Sequence, residues 1–101
     1  MSMQVANTIL SQLGGNRFLA MTGARDLTGS QDSLTMRLPR GAKSGITHLR
    51  VTLDANDTYT VKAMKFSKRD LQMVDIASYE CVYADSLRDV FEGMTGLYTR
   101  L

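Results

Sequence analysis

Tryptophan is absent from the 101-residue chain, and cysteine, histidine and proline occur once each. The single cysteine, Cys81, cannot form an internal disulfide, which predicts a reducing, cytoplasmic location. One histidine and one cysteine also argue against a structural zinc site, because such a site usually has four ligands. No apolar run approaches the roughly 18 residues that span a membrane, and the first residues lack the pattern of a secretion signal. We therefore expect no membrane partner.

Motifs that carry catalytic chemistry are also scarce. The segment 41–44, GAKS, lacks the glycine spacing of a phosphate-binding loop. His48 and Cys81 could in principle pair as base and nucleophile. However, His48 is expected on a strand among arginines, which would lower its pKa, and Cys81 is expected to be buried and inert. The sequence predicts a protein that is not an enzyme and that uses no cofactor or metal.

The residues that are present, 44% hydrophobic and 22% charged, have the balance of a folded globular domain. The length suits a single domain over residues 1–101. Apolar residues at helical spacing predict an N-terminal helix from about Met3 to Leu13, which the glycines at 14 and 15 end. The same spacing predicts a C-terminal helix from about Asp85 or Ser86 to Met94, with Asp85 as its cap.

Between these helices, apolar and polar residues alternate with the period of two that is typical of half-buried strands. The predicted strands cover residues 17–22, 34–38, 47–53, 58–63 and 71–76, the last with a bulge, whereas residues 26–33 are rich in turn formers. Five methionines inside or directly beside these elements are expected to fill gaps in the core, namely Met21, Met36, Met64, Met73 and Met94. The pattern predicts an α+β fold, a four- to five-stranded antiparallel sheet with the N-terminal and C-terminal helices packed on one face.

Charge is distributed unevenly along the chain. Residues 1–69 contain ten basic and four acidic residues, a balance of +6, whereas residues 70–101 contain two basic and six acidic residues, a balance of −4. Such asymmetry marks a surface that attracts anions, or it reflects solvated faces that happen to carry one sign of charge. Both interpretations stay open at the level of the sequence.

The basic residues of the sheet are predicted to share its open face. If the helices cover the apolar face, the period of two places alternate polar residues on the other face, and the loop at 39–45 adds two more cations. An exposed aromatic that could stack on bases is not expected there, since Phe18, Tyr59 and Phe91 fall on buried positions. The phosphate backbone is then the natural ligand. The candidate nucleic-acid-binding residues are Arg37, Arg40, Lys43, Arg50 and Lys62.

The acidic residues of the last helix form a second candidate surface. Asp85, Asp89 and Glu92 lie at i, i+4 and i+7, on one side of the helix. They could mimic nucleic-acid phosphates towards a basic partner protein. No second carboxylate cluster accompanies them, which argues against a divalent cation site.

Two stretches, ILSQLGGNRFLAMTGA at 9–24 and TGLYTRL at 95–101, resemble a group of small proteins encoded by bacteriophages and integrated mobile elements. The pattern at 34–40 and 46–53 is similar as well. The resemblance implies a non-enzymatic accessory protein that binds a host or phage protein, for instance to inhibit host defence, or that binds DNA or RNA. It carries over no catalytic or binding residue. A homodimer is compatible with either function, because a short sheet has two edges to protect.

Overall fold

The alternating residues in the middle of the chain build one antiparallel sheet. The computed structural model describes residues 4–39 and 45–97, and within these ranges it contains three α-helices and five strands. The strands follow each other across the sheet in chain order, each antiparallel to its neighbours. The predicted α+β fold is confirmed. The elements are α1 (Gln4–Leu13), α2 (Gly15–Thr22), β1 (Arg25–Gly29), β2 (Ser33–Arg37), β3 (His48–Leu53), β4 (Tyr59–Ser67), β5 (Gln72–Val82) and α3 (Leu87–Thr95).

The helices at the two ends of the chain cover the same face of the sheet. Helix α1 lies against β2, and α3 lies against β4, β5 and α1. The apolar residues that alternate along the central strands point into this layer, where each fully buried side chain contributes about 1.5–3 kcal/mol. The Phe18 and Phe91 rings meet edge to face, with centroids 4.9 Å apart, and so join α2 to α3. The core includes Ile9, Leu13, Leu34, Met36, Leu49, Val51, Val61 and Leu87.

Residues 17–22, predicted as a strand, belong to helix α2, so that prediction is wrong. Gly14, with φ of 129°, ends α1 as predicted, but the chain then resumes a helix at Gly15. Phe18 and Thr22 are both buried, and the Thr22 hydroxyl donates to the Phe18 carbonyl at 2.7 Å, a contact made within one helical turn. A short apolar run does not distinguish a helix from a strand by periodicity alone.

Residues 26–33, rich in turn formers, do contain a turn, but only at residues 30–32, because residues 26–29 belong to strand β1. Asp26 has a φ of 53° at a point where the pairing of β1 with β2 shifts register. Aspartate tolerates this left-handed conformation better than most residues, so turn-forming residues here build a bulge in an edge strand. The chain reverses after Gly29, within the range rich in turn formers, where the Ser30 N–H donates to the Ser33 carbonyl at 2.9 Å.

The last two strands are longer than predicted. Strand β4 continues to Ser67, and β5 runs from Gln72 to Val82 with the predicted bulge, in which Ile76 is the extra residue between the paired Asp75 and Ala77. A second irregularity lies where Cys81 has a φ of 56°. Cys81 is exposed, so its predicted burial is wrong, because the edge strand has no covering layer at this point.

The methionines divide between the core and the surface. Met36, Met64 and Met94 are buried as predicted, and Met21 is half-buried. Met73, by contrast, is 42% exposed, so its predicted place in the core is wrong. It lies on β5 near the β4–β5 turn, outside the area that the helices cover. No helix among residues 4–39 and 45–97 is long and apolar enough to cross a membrane.

Candidate nucleic-acid interface

Three of the five predicted basic residues lie on the open face of the sheet. Arg37 on β2, Arg50 on β3 and Lys62 on β4 alternate with core residues and therefore point away from the helices. The pairing of the strands places Thr35, Arg50 and Lys62 in one row across the sheet. Arg40 and Lys43 lie outside the described residues. The structure thus places the three predicted basic residues that lie on strands, Arg37, Arg50 and Lys62, on one face.

Cations face each other directly across neighbouring strands. Arg50 pairs with Lys62, and Arg25 of β1 pairs with Arg37. Side chains that are paired in this way have Cβ atoms about 4.5–5.5 Å apart, and like charges at that distance destabilise a sheet. The sequence does not predict Arg25 on this face, because the residues of β1 that follow it are turn formers. We call Arg25, Arg37, Arg50 and Lys62 the basic face.

Two aspartates partly offset this repulsion. Arg37 Nη1 lies 3.8 Å from Asp26 Oδ2, and Lys62 Nζ lies 3.6 Å from Asp75 Oδ2. All four side chains are at least 40% exposed, so each pair contributes roughly 0–1 kcal/mol in water. Arg50 donates from Nε to the Thr35 hydroxyl at 3.2 Å and forms no ion pair within the described part of the chain. The basic face therefore keeps solvent-accessible cations.

A cleft of about 460 Å³ opens at one end of this face. Its volume lies within the roughly 300–1,000 Å³ of small-molecule sites. Phe66, 39% exposed, and Met73 are paired across β4 and β5 and supply apolar surface. The side chains that line the cleft are Arg37, Thr47, His48, Phe66, Lys68 and Met73.

Phe66 is an exposed aromatic residue on the open face that the sequence did not predict there. The predicted strand ended at Ala63, so Phe66 was given no face. A continuous alternation, Lys62, Met64 and Phe66, runs along the actual β4 and was the available signal. The expectation that this face lacks an exposed aromatic is therefore wrong. Phe18, Tyr59 and Phe91 are buried as predicted.

Hydrogen bonds fix the histidine of the cleft. The Phe66 N–H donates to Thr47 Oγ1 at 2.7 Å, and the same hydroxyl lies 2.8 Å from His48 Nδ1. Either group is able to donate in this second hydrogen bond, according to the tautomer of the ring. Burial lowers the pKa of His48 below 6.5, and Arg37 lowers it further, while Asp26 opposes both. At neutral pH the ring is thus mostly uncharged.

The acidic candidates occupy the other side of the molecule. Asp85 lies in a 3-10 turn at Ala84–Ser86, while Asp89 and Glu92 lie in α3. Ser86 occupies the N-cap position of α3, so the prediction that Asp85 caps the helix is wrong. Asp89 lines a groove of about 340 Å³ between β5 and α3, together with Tyr79, Ser86, Val90, Gly93 and Met94.

Within residues 4–39 and 45–97, no three histidine, cysteine, aspartate or glutamate side chains lie close enough together to hold a metal ion. The cleft and the basic face are thus characterised by cations, one aromatic ring and hydroxyl groups.

No protein-family model, curated protein or solved structure matches this chain.

Proposed function

We propose that the protein binds nucleic acid through the basic face. The observation that carries this proposal is the direct pairing of Arg50 with Lys62 on an uncovered sheet. Two like charges held together are unfavourable in the free protein, and a phosphate placed between them converts the repulsion into two attractions.

The chemistry of the face favours contacts with the sugar–phosphate backbone. Its cations are interspersed with the half-buried hydroxyl residues Thr35 and Thr52, whereas the neighbouring Thr60 hydroxyl donates to Asp54 Oδ2 at 2.7 Å. Arginine, lysine and threonine are typical donors to phosphate oxygens, and such contacts orient a nucleic acid without specifying its sequence. We therefore expect affinity that depends strongly on salt and weakly on base sequence.

A charge-reversal experiment tests the proposal. Binding of a labelled oligothymidylate and of a duplex of matched length is measured by fluorescence anisotropy at about 50 and about 200 mM salt. The affinity for a single strand is expected to fall with a logarithmic salt slope of about −0.7 for each phosphate contacted. The double variant Arg50→Glu/Lys62→Glu should weaken binding at least tenfold.

Lys65→Glu is the matched control, because Lys65 is exposed on the same strand but alternates to the other face. It should leave affinity within about twofold of the wild type, since its side chain points away from the face that the phosphates contact. Absence of binding at low salt, or an equal loss in Lys65→Glu, would contradict the proposal.

As a second candidate function, we propose that the protein binds another protein through the exposed edge of β5. This eleven-residue edge strand exposes Val74, Ile76 and Tyr79 and contains neither lysine nor proline, the residues that commonly protect an edge. Acidic residues surround it: Asp75 and Glu80 on the strand, and Asp85 and Asp89 beside the groove. The partner that fits is an extended segment with alternating apolar and basic side chains. Such a segment could belong to a host or phage protein in a reducing cytoplasm.

Synthetic peptides test this second candidate. A peptide that alternates valine with lysine should bind, and one that alternates valine with glutamate should not, because only the first complements the acids around β5. Tyr79→Ala should weaken binding of the valine–lysine peptide several-fold without altering the affinity of the protein for nucleic acid. Equal binding of both peptides would contradict this second candidate. So would a stable dimer, detected by light scattering, that prevents the peptides from binding.

A further inference from the structure

We infer that the cleft beside the basic face receives an unpaired base, which stacks on Phe66, and that the ligand is therefore single-stranded nucleic acid. This inference rests on the proposed function and specifies its substrate class. Phe66 is 39% exposed and lies on the same face as Lys62, four residues away along β4. At about 3.3 Å per residue the two positions are about 13 Å apart, so one strand of nucleic acid can reach both.

The residues around Phe66 suit a nucleotide rather than a purely apolar ligand. Arg37 and Lys68 line the same cleft as the ring and place positive charge beside it, where the phosphates that flank a stacked base would lie. Met73, paired with Phe66, provides a second apolar surface for the base. His48, uncharged at neutral pH, also lines the cleft and adds a polar ring that can hydrogen-bond to a base.

The requirement for an unpaired base follows from the geometry of stacking. In a duplex both faces of each base are covered by neighbouring bases, so an aromatic side chain on a sheet reaches a base face only in a single strand or a loop. Stacking on an aromatic side chain tolerates all four bases, which agrees with a face that contacts mainly phosphates.

The test separates base stacking from backbone binding. The wild-type protein is titrated with labelled oligothymidylate and with an abasic oligomer of equal length, which keeps the phosphates and lacks the bases. Stacking should make the thymidylate bind about 5- to 150-fold more tightly. Phe66→Ala should bind both oligomers with the affinity that the wild type has for the abasic one, and its salt slope should stay unchanged.

Two further variants serve as controls. Phe66→Leu keeps an apolar side chain at the position and should lose the same preference, which guards against a folding defect in Phe66→Ala. Tyr79→Ala removes an exposed aromatic from the helix-covered side of β5 and should keep the preference in full. Thymidine monophosphate should compete only at much higher nucleotide concentration, because it lacks the phosphates that reach Arg50 and Lys62.

The outcomes distinguish this inference from the proposed function. Equal affinity of the wild type for thymidylate and abasic oligomer overturns base stacking and leaves backbone binding in place. Absence of binding to either oligomer at low salt overturns both. Competition by the mononucleotide at the same nucleotide concentration as the oligomer would assign the cleft to a free nucleotide instead.

Discussion

The two faces of the sheet are built from the same strands and obey different constraints. Leu49, Val51 and Val61 are fully buried under the helices, whereas Arg50 and Lys62, which alternate with them, point to solvent and oppose each other. Burial explains the covered face, because each apolar side chain there stabilises the fold. The open face includes pairs of like charge that oppose folding. A feature that weakens the fold is better explained by binding than by stability.

The largest effect is expected from the covered face. Phe91→Ala removes a ring that is 1% exposed and packed edge to face on Phe18, so the free energy of unfolding should fall by about 3–5 kcal/mol. Urea denaturation measures this loss. Arg50→Ala, at an exposed position on the open face, should change stability by no more than about 0.5 kcal/mol. A similar loss in both variants would remove the distinction between the faces.

A smaller effect of opposite sign is expected from the open face. Arg50→Glu replaces a like-charge pair with an attractive one opposite Lys62, so the free energy of unfolding should rise by about 0.2–1 kcal/mol. The gain should be measurable by urea denaturation at low ionic strength and should shrink at high salt. Oligonucleotide affinity should fall in the same variant. Loss of stability together with loss of binding would indicate that Arg50 acts structurally.

The smallest effect concerns the protonation of His48, which lines the cleft. His48 is the only histidine in the chain, so its ring signals in an NMR titration are unambiguous. Its pKa is expected below 6.5, since burial and then Arg37 disfavour the charged ring, and Arg37→Ala should move it towards 6.5. Bound oligothymidylate should raise the pKa, because phosphates favour the cation. A pKa that does not respond to the oligonucleotide would place the ligand away from this cleft.

The same residue links pH to stability. Because the folded-state pKa of His48 is lowered, the unfolded chain binds the proton first as the pH falls below 6.5. The contribution of His48 to stability is therefore present above pH 6.5 and is lost as the pH falls towards the folded-state pKa. His48→Asn, which keeps a side chain able to hydrogen-bond to Thr47 and does not titrate, should show a weaker decline in unfolding free energy over that interval.

The sequence predicted the faces of the central strands correctly. Leu34 and Met36, then Leu49 and Val51, alternate with polar residues, and this period of two assigns Arg37, Arg50 and Lys62 to the open face whatever the neighbouring elements do. The terminal helices were equally clear, since their apolar residues recur at helical spacing and glycines follow them. These predictions depend only on local periodicity.

The cleft could not be predicted in the same way. It depends on Phe66 and Met73, at the ends of two strands that extend past the area covered by the helices. Strand ends are the least certain part of a sequence-based prediction. The pairing of Arg25 with Arg37 was hidden for a related reason, because β1 contains turn-forming residues that a bulge accommodates.

Local sequence thus determined which strand residues face the core, where the terminal helices lie and which cations face solvent. These features follow from the backbone period and from the transfer of apolar side chains out of water. Tertiary structure decided that residues 17–22 form a helix, how far β4 and β5 extend, and that Phe66 lies beside Arg37 and Lys68. Each of those outcomes depends on which residues pack or pair across the fold. The energy of such contacts is set by partners distant in the chain, and local sequence does not encode them.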